Sequence, residues 1–192
     1  MKRIAVVILA ALLVVPALAF AGSLSGKVSG ASGVSVVWLE AVGKTFPAPE
    51  KHVLVDQKGL KFQPHLVVVQ AGTTVDFLNS DTVAHNVFWP SVSGDKKASH
   101  NLGTWPKGEK KPFKFEKPGV VPLLCNVHPE MSGYIIVSPT PYFAESDAAG
   151  EYKIADVPDG NYTVMVWHEG SKPVSKQVAV KGETKADLTA SK

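Results

Sequence analysis

The stretch Gly119–Ser138, GVVPLLCNVHPEMSGYIIVS, decides how the rest of the chain is read. Two apolar runs, Gly119–Cys125 and Gly133–Ser138, flank the short loop Asn126–Ser132. Their Val and Ile content, bounded by Gly, has the composition of half-buried or buried strands. Cys125, His128 and Met131 stand three residues apart, so one strand end and one loop carry a thiolate, an imidazole and a thioether. Cys125 is the only cysteine of the 192 residues.

These donor types belong together in one kind of chemistry. Two neutral imidazoles and a thiolate, with a weak methionine on the axis, suit copper in both oxidation states, because sulfur favours Cu(I) and nitrogen suits Cu(II). The second imidazole is expected from His85, in the turn-rich stretch Asn79–Val87. Zinc fits less well: a structural zinc site recruits more Cys or His, and a thioether adds little for it. The set His85, Cys125, His128 and Met131 therefore points to a mononuclear blue-copper site. Taken singly, Met131 reads as core filler and Cys125 as a small buried hydrophobe. A Cys–His nucleophile is the other reading, but its base would come from a distant segment, and neither an orienting third group nor an oxyanion loop is apparent. The chain is expected not to be an enzyme.

Outward from that hairpin the texture is β throughout, with no long segment of helical period. Expected strands are His65–Gln70, Thr73–Asn79, His85–Trp89 and Lys111–Glu116. Val75 and Phe77 alternate with polar neighbours, as do Phe113 and Phe115, which suits a sandwich with one face buried. His85 then opens a strand and reaches the same end of the sandwich as the Cys125 loop. The interval from His85 to Cys125 leaves room for about two strands and a connection.

From Phe62 to Val137 the chain resembles a cupredoxin. The resemblance is carried by Phe62-Gln63-Pro64, Gly72-Thr73-Thr74-Val75, Asn79-Ser80-Asp81 leading to His85-Asn86, Pro118-Gly119, and Cys125 through Met131. It implies a Greek-key β-sandwich and places the family's ligands at His85, Cys125, His128 and Met131. The two residues between His128 and Met131 match the short amicyanin type of loop. It also implies that Asn86 braces the ligand loop near the cysteine sulfur. His128 is the expected electron-transfer edge, surrounded by an apolar patch from Pro129 with Phe88, Trp89 or Pro90.

The flanks resemble the two halves of a transthyretin-like module of the carboxypeptidase regulatory type: Ser23–Val28 and Gly33–Glu40 on one side, Phe143–Tyr152 and Val157–Val164 on the other. Neither flank has apolar surface enough for a domain by itself. The expected architecture is all-β: residues 22–48 and 140–192 as one small sandwich, with the cupredoxin, residues 49–139, inserted at a loop, where insertion costs little. A plain tandem order is the other arrangement. His168, beside Trp167 and Glu169, is expected to be a strand-end histidine bonded to backbone, and an accessory metal or partner site is the alternative. His52, His65 and His100 have no companion at metal spacing.

Residues 1–21 read as a secretory signal peptide: Lys2 and Arg3, an apolar run from Ile4 to Ala19, and Ala19-Phe20-Ala21 before Gly22. Cleavage after Ala19 is the variant, and no cysteine offers a lipid anchor there. The chain carries 20 basic and 17 acidic residues, and loss of Lys2 and Arg3 leaves a net charge of +1, which suggests neither nucleic acid nor an anionic membrane as partner. An exported lone thiol has no internal disulfide partner, and metal ligation gives it a use. The resulting expectation is a periplasmic one-electron carrier with a single copper ion. Its redox partners would be a c-type cytochrome or an oxidoreductase. The alternatives are copper trafficking without electron transfer and an envelope-binding module. Storage suits poorly a chain with only Met131 and Met165 after the leader.

Overall fold

The computed structural model describes residues 21–41 and 43–190. The leader expected over residues 1–21 lies outside them except for Ala21. The first segment supplies β1 (Ala21–Ser29) and β2 (Ser35–Glu40). The middle supplies β3 (Val53–Gln57), β4 (Phe62–Gln63), β5 (Leu66–Gln70), β6 (Thr73–Asn79) and β7 (His85–Trp89). After a short 3-10 turn at Lys96–Ala98 come β8 (His100–Trp105), β9 (Lys110–Phe115), β10 (Gly119–Leu124) and β11 (Ser132–Ser138). The last segment supplies β12 (Phe143–Glu145), β13 (Glu151–Pro158), β14 (Gly160–His168), β15 (Val174–Val180), β16 (Glu183–Lys185) and β17 (Leu188–Thr189).

Four sheets result. In the middle, β5-β11-β10-β7-β8 faces β4-β3-β6-β9. Val55, Phe62, Val75, Phe77, Val121, Leu123, Ile135 and Val137 fill the space between them, each at most 1% exposed. Each such side chain contributes roughly 1.5–3 kcal/mol of transfer free energy. The alternation read at Val75 and Phe77 is real: both point inward from β6, and Thr74 and Leu78 are more exposed.

In the flanks, β12-β2-β14-β15 forms one sheet and β13-β1-β16 the other, with β17 beside β1. Leu24, Val37, Leu39, Ile154, Val157, Tyr162, Val164 and Val166 form a second apolar cluster between these sheets. The pairing crosses the middle segment: β2 lies between β12 and β14, and β1 pairs with β13. A third cluster, Val36, Trp38, Ile136 and Trp167, joins the two halves, with Tyr134 and Met165 against it. The protein is thus all-β, apart from the single 3-10 turn, among the described residues.

Three strands of the middle segment, β3, the two-residue β4 and β8, had no counterpart among the expected strands. Strand β8, HNLGTW, is mostly polar, contains a glycine and lies at the edge of its sheet, where a continuous apolar face is not required. Strand β3 runs parallel to β6, a pairing set by tertiary contact and not by a hairpin.

Candidate metal centre

Antiparallel pairing of β10 with β11, from Gly119↔Val137 to Leu124↔Ser132, brings the two ends of the Cys125–Met131 loop together. The loop is closed by the Met131 N–H, which donates to the His128 carbonyl at 3.0 Å. Leu124 also faces Phe88 of β7, so β7 lies alongside and delivers His85 at its first residue.

The result is a cluster in which Nδ1 or Nε2 of His85 and His128 and Sγ of Cys125 all lie within 4.8 Å of one another. The two Nδ1 atoms are 2.9 Å apart, and Cys125 Sγ is 4.0 Å from His128 Nδ1. His85 is fully buried, Cys125 is 3% exposed, and His128 is half-buried. Met131, 1% exposed, belongs to the apolar cluster beneath the loop, together with Cys125.

Hydrogen bonds set the direction of each donor. His85 Nε2–H donates to Asp81 Oδ2 at 3.0 Å, which commits that nitrogen to the proton and leaves Nδ1 as a lone pair facing His128. Asp81 is itself held: Oδ2 accepts the Leu60 N–H at 3.0 Å and Oδ1 the Thr82 N–H at 2.9 Å. The Leu60 amide first, then the His85 ring, hold the Asp81 carboxyl far below the usual carboxylate range. The Asn86 N–H donates to Cys125 Sγ at 3.4 Å. Its side-chain oxygen accepts the Asn126 N–H at 3.2 Å, and its Nδ2 donates to Asn101 Oδ1 and Gly103 O, each at 2.8 Å. Asn86 therefore ties the cysteine, the start of the loop and β8 together.

Two imidazole nitrogens and a sulfur that converge in a largely apolar surround offer three donor atoms to one cation. The donor set, soft sulfur with two imidazoles, suits copper. A model of copper-binding proteins of the plastocyanin/azurin family matches residues 49–138. Amicyanin-alpha of Methylorubrum extorquens is 31% identical over 121 residues, which make up 63% of this chain and 98% of that protein. The chain belongs to the plastocyanin/azurin family of copper-binding proteins. Among solved structures, a purple cupredoxin from Nitrosopumilus maritimus is 26% identical, covering 45% of this chain and 99% of its own, at a TM-score of 0.41. A copper-containing nitrite reductase from Thermus scotoductus is 29% identical, covering 53% of this chain but 25% of its own, at a TM-score of 0.44. The cupredoxin centre here takes one type 1 copper ion as its cofactor.

Other expectations fall out differently. Trp89 is no part of an apolar edge: it is 2% exposed at the far end of β7 from His85, packed 4.7 Å from Phe113 and 5.1 Å from Phe115. The large apolar groups exposed around the ligands are Val127 in the loop, Val83 before His85, and Leu60 on the Asp81 tie. His168 donates from Nδ1 to the Val34 carbonyl at 3.0 Å, as a strand-end histidine would. His52 and His100 are exposed, His52 against Asp76 and His100 against Trp89 and Phe113. The tie of Asp81 to His85 was not foreseen; its only sequence signal is the four-residue spacing inside a turn.

Proposed function

We propose that this protein carries single electrons between redox proteins, with copper held by His85 Nδ1, His128 Nδ1, Cys125 Sγ and the Met131 thioether. Bound copper supplies a one-electron change between Cu(I) and Cu(II). The observation that carries the reading is the unequal burial of the ligands: His85, Cys125 and Met131 are sealed off, and only His128 is half-buried at the surface. Sealed ligands on a strand or directly beside paired strand ends keep their positions in both oxidation states, so little rearranges when an electron arrives. A copper chaperone needs open, exchangeable ligands, and the burial disfavours that role.

His128 is the edge through which electrons pass. Val127 and Val83, 48% and 44% exposed, with Pro129, provide the apolar ground around it. A small patch of this kind suits brief, weak encounters with a cytochrome or an oxidoreductase. Asn86 braces the centre by fixing the sulfur and the start of the loop from one side chain and one amide.

The same proposal covers the layout and the place of action. The cupredoxin, residues 49–139, is set into an outer β-sandwich of residues 22–48 and 140–192; pairing of β1 with β13 and of β2 with β12 and β14 supports this. The kinship of the outer sandwich with transthyretin-like modules rests on the resemblance of Ser23–Val28, Gly33–Glu40, Phe143–Tyr152 and Val157–Val164 to their two halves. Export to the periplasm rests on residues 1–21. No helix among the described residues is long and apolar enough to cross a membrane.

The test is to add Cu(II) to the exported chain and record visible absorption and electron paramagnetic resonance. An intense thiolate-to-copper band with narrow hyperfine splitting is expected, and Cys125→Ala should abolish both. A colourless or ordinary tetragonal spectrum would refute the carrier reading. Met131→Leu should keep the colour and raise the reduction potential, since a weak donor favouring Cu(II) is lost.

A further inference from the structure

The β10–β11 hairpin is gripped on both faces. Val121, Leu123, Ile135 and Val137 turn into the cupredoxin core, whereas Val120, Tyr134 and Ile136 turn outward onto Trp38 and Trp167. The rings of Tyr134 and Trp167 lie 4.9 Å apart. At the ligand end of this outer face stands a polar bridge. His65 Nδ1 is 3.0 Å from the carbonyl oxygen of Ser132, the residue after Met131, and His65 Nε2 is 2.9 Å from Glu169 Oε2, just past β14. A carbonyl and a carboxylate both accept, so the ring nitrogens are the donors on this bridge. The backbone repeats the tie, the Tyr134 N–H donating to the His65 carbonyl at 2.8 Å.

We infer that His65 and Glu169 are positioning residues for the copper loop: the outer sandwich, through this bridge, holds the Ser132 carbonyl and with it the Met131 thioether. The inference rests on the reading of Met131 as the axial ligand. Both bridge side chains are about half exposed, 48% and 49%, so the contact adds little to stability. Its effect is on geometry, where the flanking segment reaches the end of the ligand loop. Tyr134, Glu145 and His168 line the same hollow. His168 is engaged by Val34, and Glu169, after burial, helps push the Tyr134 hydroxyl up.

The test is a double-mutant cycle on the full chain, with the reduction potential of the copper-loaded protein as one reading and amide exchange of the copper-free protein as the other. Glu169→Gln and His65→Ala should each raise the potential in the wild-type background and speed exchange at Ser132–Tyr134. In a Met131→Leu background the shift should vanish. A shift of equal size in that background would show that Glu169 acts through its charge alone and would overturn the inference, as would an unchanged potential in both single variants. If Met131→Leu by itself left potential and spectrum untouched, the axial reading would fail instead.

Discussion

His85 illustrates how one carboxylate fixes the chemistry of a buried ring. With Nε2–H on Asp81, only Nδ1 is left to face His128 and Cys125. Asp81→Ala is expected to lower copper affinity on the order of 10–100-fold, the usual cost of removing a carboxylate behind a ligating histidine. Competition titration with a chelator measures this; an unchanged affinity would show the tie to be idle. Asp76 makes a different, purely structural contribution. The Lys110 ammonium, 2.7 Å away, holds its carboxyl low, burial opposes this, and His52 adds to it. A carboxyl depressed on folding stabilises above its unfolded value, about 3.9, and ceases to as pH falls through its folded value. Asp76→Asn should therefore cost about 1 kcal/mol at neutral pH, discounted for the half-exposed Lys110. The difference should close in urea titrations as pH falls below the unfolded value and through the depressed folded one. A gap that persisted in acid would place the effect in packing. The cluster of His85, Cys125 and His128 was legible at this scale because sulfur and imidazole at three-residue spacing have few other uses. Asp81 was not, since an Asp in a polar turn has an ordinary reading as a turn former.

Among elements, the hairpin β10–β11 does most to place the centre, and its apolar runs were visible beforehand because Val and Ile bounded by Gly have few alternatives. Gly133 shows what the strand pattern left unsaid. A Cβ there would stand 2.9 Å from the His65 carbonyl oxygen and 3.2 Å from Phe62 Cβ, so β11 passes the turn before β5 too closely for any side chain. Gly133→Ala is expected to destabilise by roughly 1–3 kcal/mol, the usual cost of overpacking. Because Gly133 lies two residues after Met131, the copper absorption band should shift as well. A melting temperature and spectrum equal to wild type would mean that β5 yields freely. Strand β8 escaped notice because an edge strand needs no apolar repeat; its role is to pair Trp105 with His85 and Thr104 with Asn86.

At the scale of the molecule, three apolar clusters follow one another, and the middle one makes the two halves a continuous solid. Trp38, 3% exposed, is a keystone of that contact. Trp38→Ala should cost about 3–5 kcal/mol. It is also expected to split a single thermal transition into two, followed by copper colour for one half and far-ultraviolet circular dichroism for the other. A single transition, merely shifted, would mean that the halves stay coupled without it. By itself the sequence determined the β class, the hairpin and the three donors, His85, Cys125 and His128, that the fold gathers, because alternation, strand composition and ligand spacing are local properties of the chain. Only the tertiary structure decided which carboxylate holds His85, where Trp89 goes, and that Glu169 meets His65 across 104 residues. Those contacts join segments with no shared local pattern, and they form only where the packed sheets bring the segments together.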